Sequence, residues 1–175
     1  MTELLRIHRD AKGTSRWLEP VCERIRAMSA RFDGNPEALV DDVWKQYAAK
    51  APTLGLFVAI EDDQIVGHLL AFVRDWDGRW VGWIAQVEHD RVADRATVDG
   101  VIATLTDWIE QWNFSFATKG FRVDEMIFCT PHMHDAWARH SGFTDYRSFK
   151  LRKIPASRPS CWVAFSAGVV AGVGN

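Results

Sequence analysis

Apolar residues recur along this chain at two spacings, and the spacing assigns the elements. From Leu4 to Arg9 apolar and polar positions alternate, which predicts a half-buried strand. Beyond Trp17 the residues Leu18, Val21, Cys22, Ile25 and Met28 recur at three and four, which predicts a helix with Ser15 as its cap. Gly34 and Asn35 interrupt the pattern. Asn35 before Pro36 sets a capping residue ahead of a proline at the first helical position, and Leu39, Val40, Val43, Trp44 and Tyr47 fall on one face of a second helix, which Pro52 ends.

The spacing then changes from helical to extended. Leu56 to Ile60 and Ile65 to Val73 read as two strands joined by the tight polar turn Glu61-Asp62-Asp63-Gln64. A second hairpin turns at Asp75-Trp76-Asp77-Gly78 and returns through Trp80 to Val87, so apolar a strand that it is expected at the centre of a sheet. After a polar stretch from His89 to Ala96, Thr97 is the expected cap of a long helix whose face carries Val98, Val101, Ile102, Leu105, Trp108, Ile109 and Trp112. Met126 to Cys129 predicts a short strand. Pro131 opens a loop into a helix holding Ala136, Trp137 and His140, stopped by Gly142, and a last strand covers about Tyr146 to Ile154.

Composition narrows the class of protein. The 175 residues suit one domain, and 47% hydrophobic with 25% charged residues is a globular balance. A net charge of -2 with interleaved signs leaves no broad cationic face, which argues against nucleic acid as a partner. The three cysteines Cys22, Cys129 and Cys161 form no CxxC pair, so neither a disulfide framework nor a zinc site is indicated. The charged N-terminus lacks the apolar stretch of a secretion signal, and no run is long enough for a membrane span, so a cytoplasmic location is expected. Nine tryptophans supply much of the large apolar surface and are expected chiefly in the core, although Trp76, Trp80 and Trp83 would equally line a groove.

The predicted order β-α-α-β-β-β-α-β-α-β, an α/β mixed sheet with helices on both faces, resembles the GNAT (Gcn5-related N-acetyltransferase-like) superfamily over about Leu4 to Ile154. Two local patterns carry the resemblance: Gln64-Ile65-Val66-Gly67 after the first hairpin turn, and Gly142-Phe143 closing the helix from Asp135. Residues 1–154 then form the acyltransferase-like domain and residues 155–175 a Gly- and Ala-rich apolar tail.

The resemblance implies an acyl-CoA cosubstrate, acetyl-CoA in the first instance, and an amine acceptor. It implies that backbone groups of Gln86 and Val87 hold the pantetheine. It also implies that the loop before Thr97, with Arg91, Arg95, Ala96, Thr97, Val98 and Gly100, meets the pyrophosphate at a helix N-terminus. The chain departs from the family at three points. Val98 stands where the phosphate loop has its first glycine, with Arg91 and Arg95 as compensating cations. Ala138 replaces the tyrosine that protonates the leaving thiolate, and Trp83-Ile84-Ala85-Gln86 lacks the strand glutamate that serves as base.

Substitute proton carriers are therefore sought nearby. Glu88 and His89, just past the central strand, and His132, after the next one, are the candidate catalytic residues, though each also suits a solvated loop. His132 with His134 lacks a third ligand for a metal. His68, beside Gly67, falls in the cleft or the core, with the core preferred, and Cys129 reads as buried filler. Two functions follow: an acyl-CoA-dependent N-acyltransferase, or a GNAT-like module without catalysis, serving as a binding or structural subunit. The exposed apolar tail would favour self-association or a protein partner.

Overall fold

The computed structural model describes residues 3–31, 35–90, 95–128, 144–146 and 149–153. Strand β1 (Glu3–Arg6) is followed by helices α1 (Leu18–Arg31) and α2 (Pro36–Ala48), then by strands β2 (Leu54–Glu61), β3 (Gln64–Trp76) and β4 (Arg79–His89). Helix α3 (Arg95–Phe116) leads to β5 (Val123–Phe128), and two short strands, β6 (Thr144–Tyr146) and β7 (Phe149–Lys153), end the described residues. The expected helix from Asp135 to Gly142 and the tail 155–175 lie outside them.

Both central hairpins are set by turn chemistry. Asp62 and Asp63 have φ of 48° and 59°, and Asp77 and Gly78 have φ of 56° and 77°. Two consecutive positive values make the two-residue turn whose twist matches that of paired strands, and Asp and Gly enter that region most readily. The Asp75 carboxylate accepts from the Gly78 N–H at 3.1 Å, which closes the second turn. Asn35 caps α2 as its sequence predicts, accepting from the Ala38 N–H at 3.1 Å with Pro36 at the first position.

Three expectations are corrected. Ser15 does not cap α1: it opens a 3₁₀ turn, Ser15–Trp17, whose capping position is held by Thr14. The Thr14 hydroxyl donates backwards to the carbonyls of His8 and Ala11, so it braces the preceding turn rather than the helix. The last strand is two strands, β6 paired antiparallel with β7. Finally, α3 begins at Arg95, so Thr97 lies inside its first turn instead of preceding it.

The strands form one 7-stranded sheet in the order β1-β2-β3-β4-β5-β7-β6, which puts β4 at the centre as its apolar sequence predicts. Pairing is antiparallel from β1 to β4, and parallel between β4 and β5, with α3 as the crossover that parallel strands require. Against β3, β4 carries one irregularity. Leu70 faces Gln86 but its neighbour Ala71 faces Ile84, so Ala85 is an extra residue with no partner on β3, a β-bulge. Ile84 therefore packs in one core cluster, whereas Gln86 and Glu88 turn to the opposite face.

The two faces bury separate cores. On one, Val21, Cys22 and Ile25 of α1 and Val40 and Val43 of α2 meet Leu54, Leu56, Val58, Leu70 and Phe72. On the other, Ile102, Leu105, Trp108, Ile109 and Trp112 of α3 meet Phe57, Leu69, Ala71, Val73, Ile84 and Met126. Each such side chain contributes roughly 2 kcal/mol through burial. The helix faces thus follow the sequence, with one exception: Trp44 is 39% exposed, since only Val40 and Val43 of α2 reach the interior fully. No helix among the described residues is long and apolar enough to cross a membrane.

Candidate functional site

The candidate site lies at the C-terminal half of β4. Pairing with β5 is Trp80 to Val123, Gly82 to Met126, Trp83 to Ile127 and Ile84 to Phe128, where the described part of β5 stops. β4 continues through Ala85, Gln86, Val87, Glu88 and His89. The Asp90 N–H donates to the Val66 carbonyl at 2.8 Å, and backbone groups in a strand alternate between neighbours. The N–H and C=O of Glu88 and Gln86 accordingly face β3, and those of Val87 and His89 face away from it. Of the two expected pantetheine contacts, Val87 turns its backbone groups away from β3; Gln86 does not.

Gln86 has a different task. Its side chain is buried, with the amide nitrogen donating to Ser29 Oγ at 2.7 Å and to the Ile25 carbonyl at 3.3 Å, both on α1. Its Oε1 lies 3.0 Å from His68 Nε2. His68 is 3% exposed, in the core as preferred from sequence, and its Nδ1 is 3.5 Å from Glu88 Oε2. Glu88 is reached in turn by Arg24 at 3.2 Å and by Arg31 at 3.3 Å, both from α1. Arg24 also pairs with Asp90 and donates to the Ile65 carbonyl at 3.1 Å. Residues of α1 and β3 so converge on one carboxylate of β4, and Asp90 holds Arg24 from the far side.

The electrostatics follow from this convergence. The contact with His68 and the charges of Arg24 and Arg31 hold the Glu88 carboxyl below the usual glutamate value, against the opposing effect of burial. Arg24 is driven upward, chiefly by its hydrogen bond to Asp90, and stays charged. Glu88 keeps its negative charge near neutrality while its side chain is 18% exposed, so it borders solvent. A carboxylate so placed can accept a proton through water, but alone it would hold that proton weakly.

His89 takes the other face. A β-carbon on Gly67 would stand 3.0 Å from His89 Cδ2 and 2.8 Å from the Glu88 carbonyl, so the glycine leaves room for the histidine at the strand end. At α3, the N–H groups of Arg95, Ala96 and Thr97 belong to the first turn, which has no intrahelical acceptor for them. Ala96 is exposed. Val98 and Gly100 lie further along, where N–H groups are spent within the helix; Val98 is 4% exposed and packs inward. Arg91, Cys129, His132 and the side chains of Arg95 and Thr97 lie outside the described residues. Among the described residues no group of three or more His, Cys, Asp or Glu is gathered to hold a metal ion.

Sequence reasoning named Glu88, His68 and Gln86 separately and missed Arg24, Arg31 and Ser29. The only local sign was that Ser29 continues the inward spacing of α1 after Ile25, which places a hydroxyl on a buried face.

No family model matches the chain, and none of the curated proteins matches it by sequence. Solved structures do match. A predicted acetyltransferase from Clostridium acetobutylicum, solved with acetyl-CoA, aligns with a TM-score of 0.62 at 12% identity, covering 84% of this chain and 92% of its own. A GCN5-related N-acetyltransferase from Ralstonia eutropha gives 0.53 at 15% identity, covering 91% and 99%. The PaiA N-acetyltransferase from Thermoplasma acidophilum, in complex with coenzyme A, gives 0.52 at 10% identity, covering 87% and 99%. The strand order, the central β4 and these likenesses establish that the chain has the GNAT acetyltransferase fold.

Proposed function

We propose that the chain is an acyl-CoA-dependent N-acyltransferase, with acetyl-CoA as cosubstrate and an amine as acceptor. The observation that carries this reading is the half of β4 beyond Ile84, where Val87 turns its backbone groups away from β3 past the last described pair with β5. An extended chain bearing amides, as pantetheine does, adds to such an edge as a strand would. The first turn of α3 follows, and its three N–H groups suit a pyrophosphate. Arg95, at the head of that helix, and Arg91 before it are the proposed counter-charges.

Bound there, an acyl-CoA would supply an activated thioester carbon. The chain's residues would do the rest: Val87 orients the cofactor arm, and Glu88 takes the acceptor's proton through water. His89 and His132 are further candidates for proton transfer to the leaving thiolate.

Calorimetric titration with acetyl-CoA tests the reading. Binding in the micromolar range supports it, and Arg95→Ala should then weaken binding by about 1.5–3 kcal/mol, the range for hydrogen bonds to charged groups. Heat absent at millimolar acetyl-CoA would refute it. That result favours the second reading, a module without catalysis, for which the observation is that Glu88 is already held by two arginines. We further propose that residues 155–175 pack against protein, either this domain or another copy. Light scattering of a chain ending at residue 154 should show a changed size or solubility, and unchanged behaviour would count against it.

A further inference from the structure

The Gln86 amide fixes the proton on one nitrogen of His68. A carbonyl oxygen only accepts, so the atom of Gln86 facing the Ile25 carbonyl is its nitrogen, and Oε1 is the atom facing His68. His68 Nε2 must therefore carry hydrogen and donate at 3.0 Å. The other nitrogen, Nδ1, is buried without a hydrogen-bond partner and stands 3.5 Å from Glu88 Oε2. A neutral ring in this tautomer would aim a lone pair at a carboxylate; a ring protonated at Nδ1 would aim a hydrogen at it. An orphaned buried nitrogen facing a carboxylate is a place to put a proton.

We infer that His68 and Glu88 form a proton-holding pair, with His68 Nδ1 as the final acceptor of a proton that first reaches Glu88 at the end of β4. The inference rests on the acyltransferase reading for its role in a reaction, and on the geometry alone for the pair itself. Before the reaction Glu88 is a carboxylate and His68 is neutral with hydrogen on Nε2. The acceptor ammonium releases one proton, through water, to Glu88. The freed lone pair forms the new bond to the acyl carbon as the bond to sulfur breaks, and the nitrogen's second proton passes to the departing thiolate, which leaves as the thiol. Glu88 passes its proton to Nδ1. The pair ends as carboxylate and imidazolium, one proton richer with no change of oxidation state, and returns the proton to water after the product leaves.

This arrangement answers the weakness of Glu88 as a lone base, because the proton need not remain on it. The groups bearing on the pair are Arg24 and Arg31 from α1, Gln86 on β4, and Asp90 beyond it. The two arginines touch Glu88 and keep it ionised, whereas among the described residues Glu88 and Gln86 are the polar groups against the His68 ring. His68 acts through Glu88 and is a positioning residue rather than a catalytic one.

The test follows the imidazole nitrogens of the full chain by long-range ¹H–¹⁵N correlation across pH, with His68 assigned by the signals lost in His68→Gln. Nε2 should stay protonated throughout while Nδ1 takes up a proton as pH falls. In Glu88→Gln that step should move to lower pH, because the opposite charge facing Nδ1 is gone. A step unmoved in Glu88→Gln, or one occurring at Nε2, would overturn the inference. Should His68→Gln fail to fold, the shift between wild type and Glu88→Gln still identifies the responding ring among the six histidines, and no responding ring overturns the pair. Acetyl-CoA titration of the same samples separates the two readings: absent binding with the Nδ1 step intact refutes the acyltransferase and leaves the pair standing.

Discussion

The ring of Trp108 occupies the place where a β-carbon on Gly55 would be: three of its carbons lie 2.8 to 2.9 Å from that position. α3 is thus seated directly on the backbone of β2, and the missing side chain on the strand is what lets the indole descend to 3% exposure. Gly55→Ala should destabilise the fold by about 1–3 kcal/mol, the usual cost of overpacking a core. Urea denaturation measures it. A midpoint equal to that of the wild type would show that the indole tilts aside freely.

Gln86→Leu should be destabilising although it replaces a polar core residue with an apolar one. The change strands Ser29 Oγ and His68 Nε2 in the interior, and a buried polar group left unmatched costs about 1–3 kcal/mol. Thermal unfolding of the variant checks this, and a melting point at or above that of the wild type would mean that the network contributes no stability.

Glu88 makes stability depend on acid. Its folded value lies below its unfolded one, so its contribution is present in full above the ordinary glutamate range and is lost as pH falls through the folded value. Glu88→Gln should therefore be less stable than the wild type at neutral pH. The two curves should converge as pH drops below about 4, where the unfolded carboxylate begins to protonate. A gap that stays constant into acid would contradict the ion-pair account.

Cys22 is wholly buried, and burial pushes its thiol up to about 11. The thiolate is the nucleophile, so alkylation at pH 8 should spare Cys22 in the folded chain and reach it only in denaturant. Peptide mapping by mass spectrometry reads this residue individually. Rapid modification without denaturant would show that α1 opens far more readily than its packing implies.

How much was legible in the sequence depended on how far apart the determining residues lie. The hairpins are local, since Asp62-Asp63 and Asp77-Gly78 each bring their own turn geometry, and the inward face of α3 is written in its spacing. Helix starts were read less well. Thr97 and Ser15 resemble caps in composition, but α3 starts at Arg95 and Thr14 spends its hydroxyl on the turn behind it. The polar cluster was the hardest to see. Gln86 and Ser29 are 57 positions apart and Arg24 and Glu88 are 64 apart, so no local pattern joins them. The pairing of Glu88 with α1 also depends on the extra residue in β4, which alternation of apolar and polar positions does not announce.

That extra residue has a consequence for any comparison across related strands. Ala85 acts on side chains as a single inserted base acts on a reading frame: everything downstream changes sides. Were it removed, Gln86 and Glu88 would swing into the apolar layer beneath α3, and Val87 would face the arginines of α1. An ungapped alignment of β4 with an unbulged strand would therefore compare residues on opposite faces of the sheet.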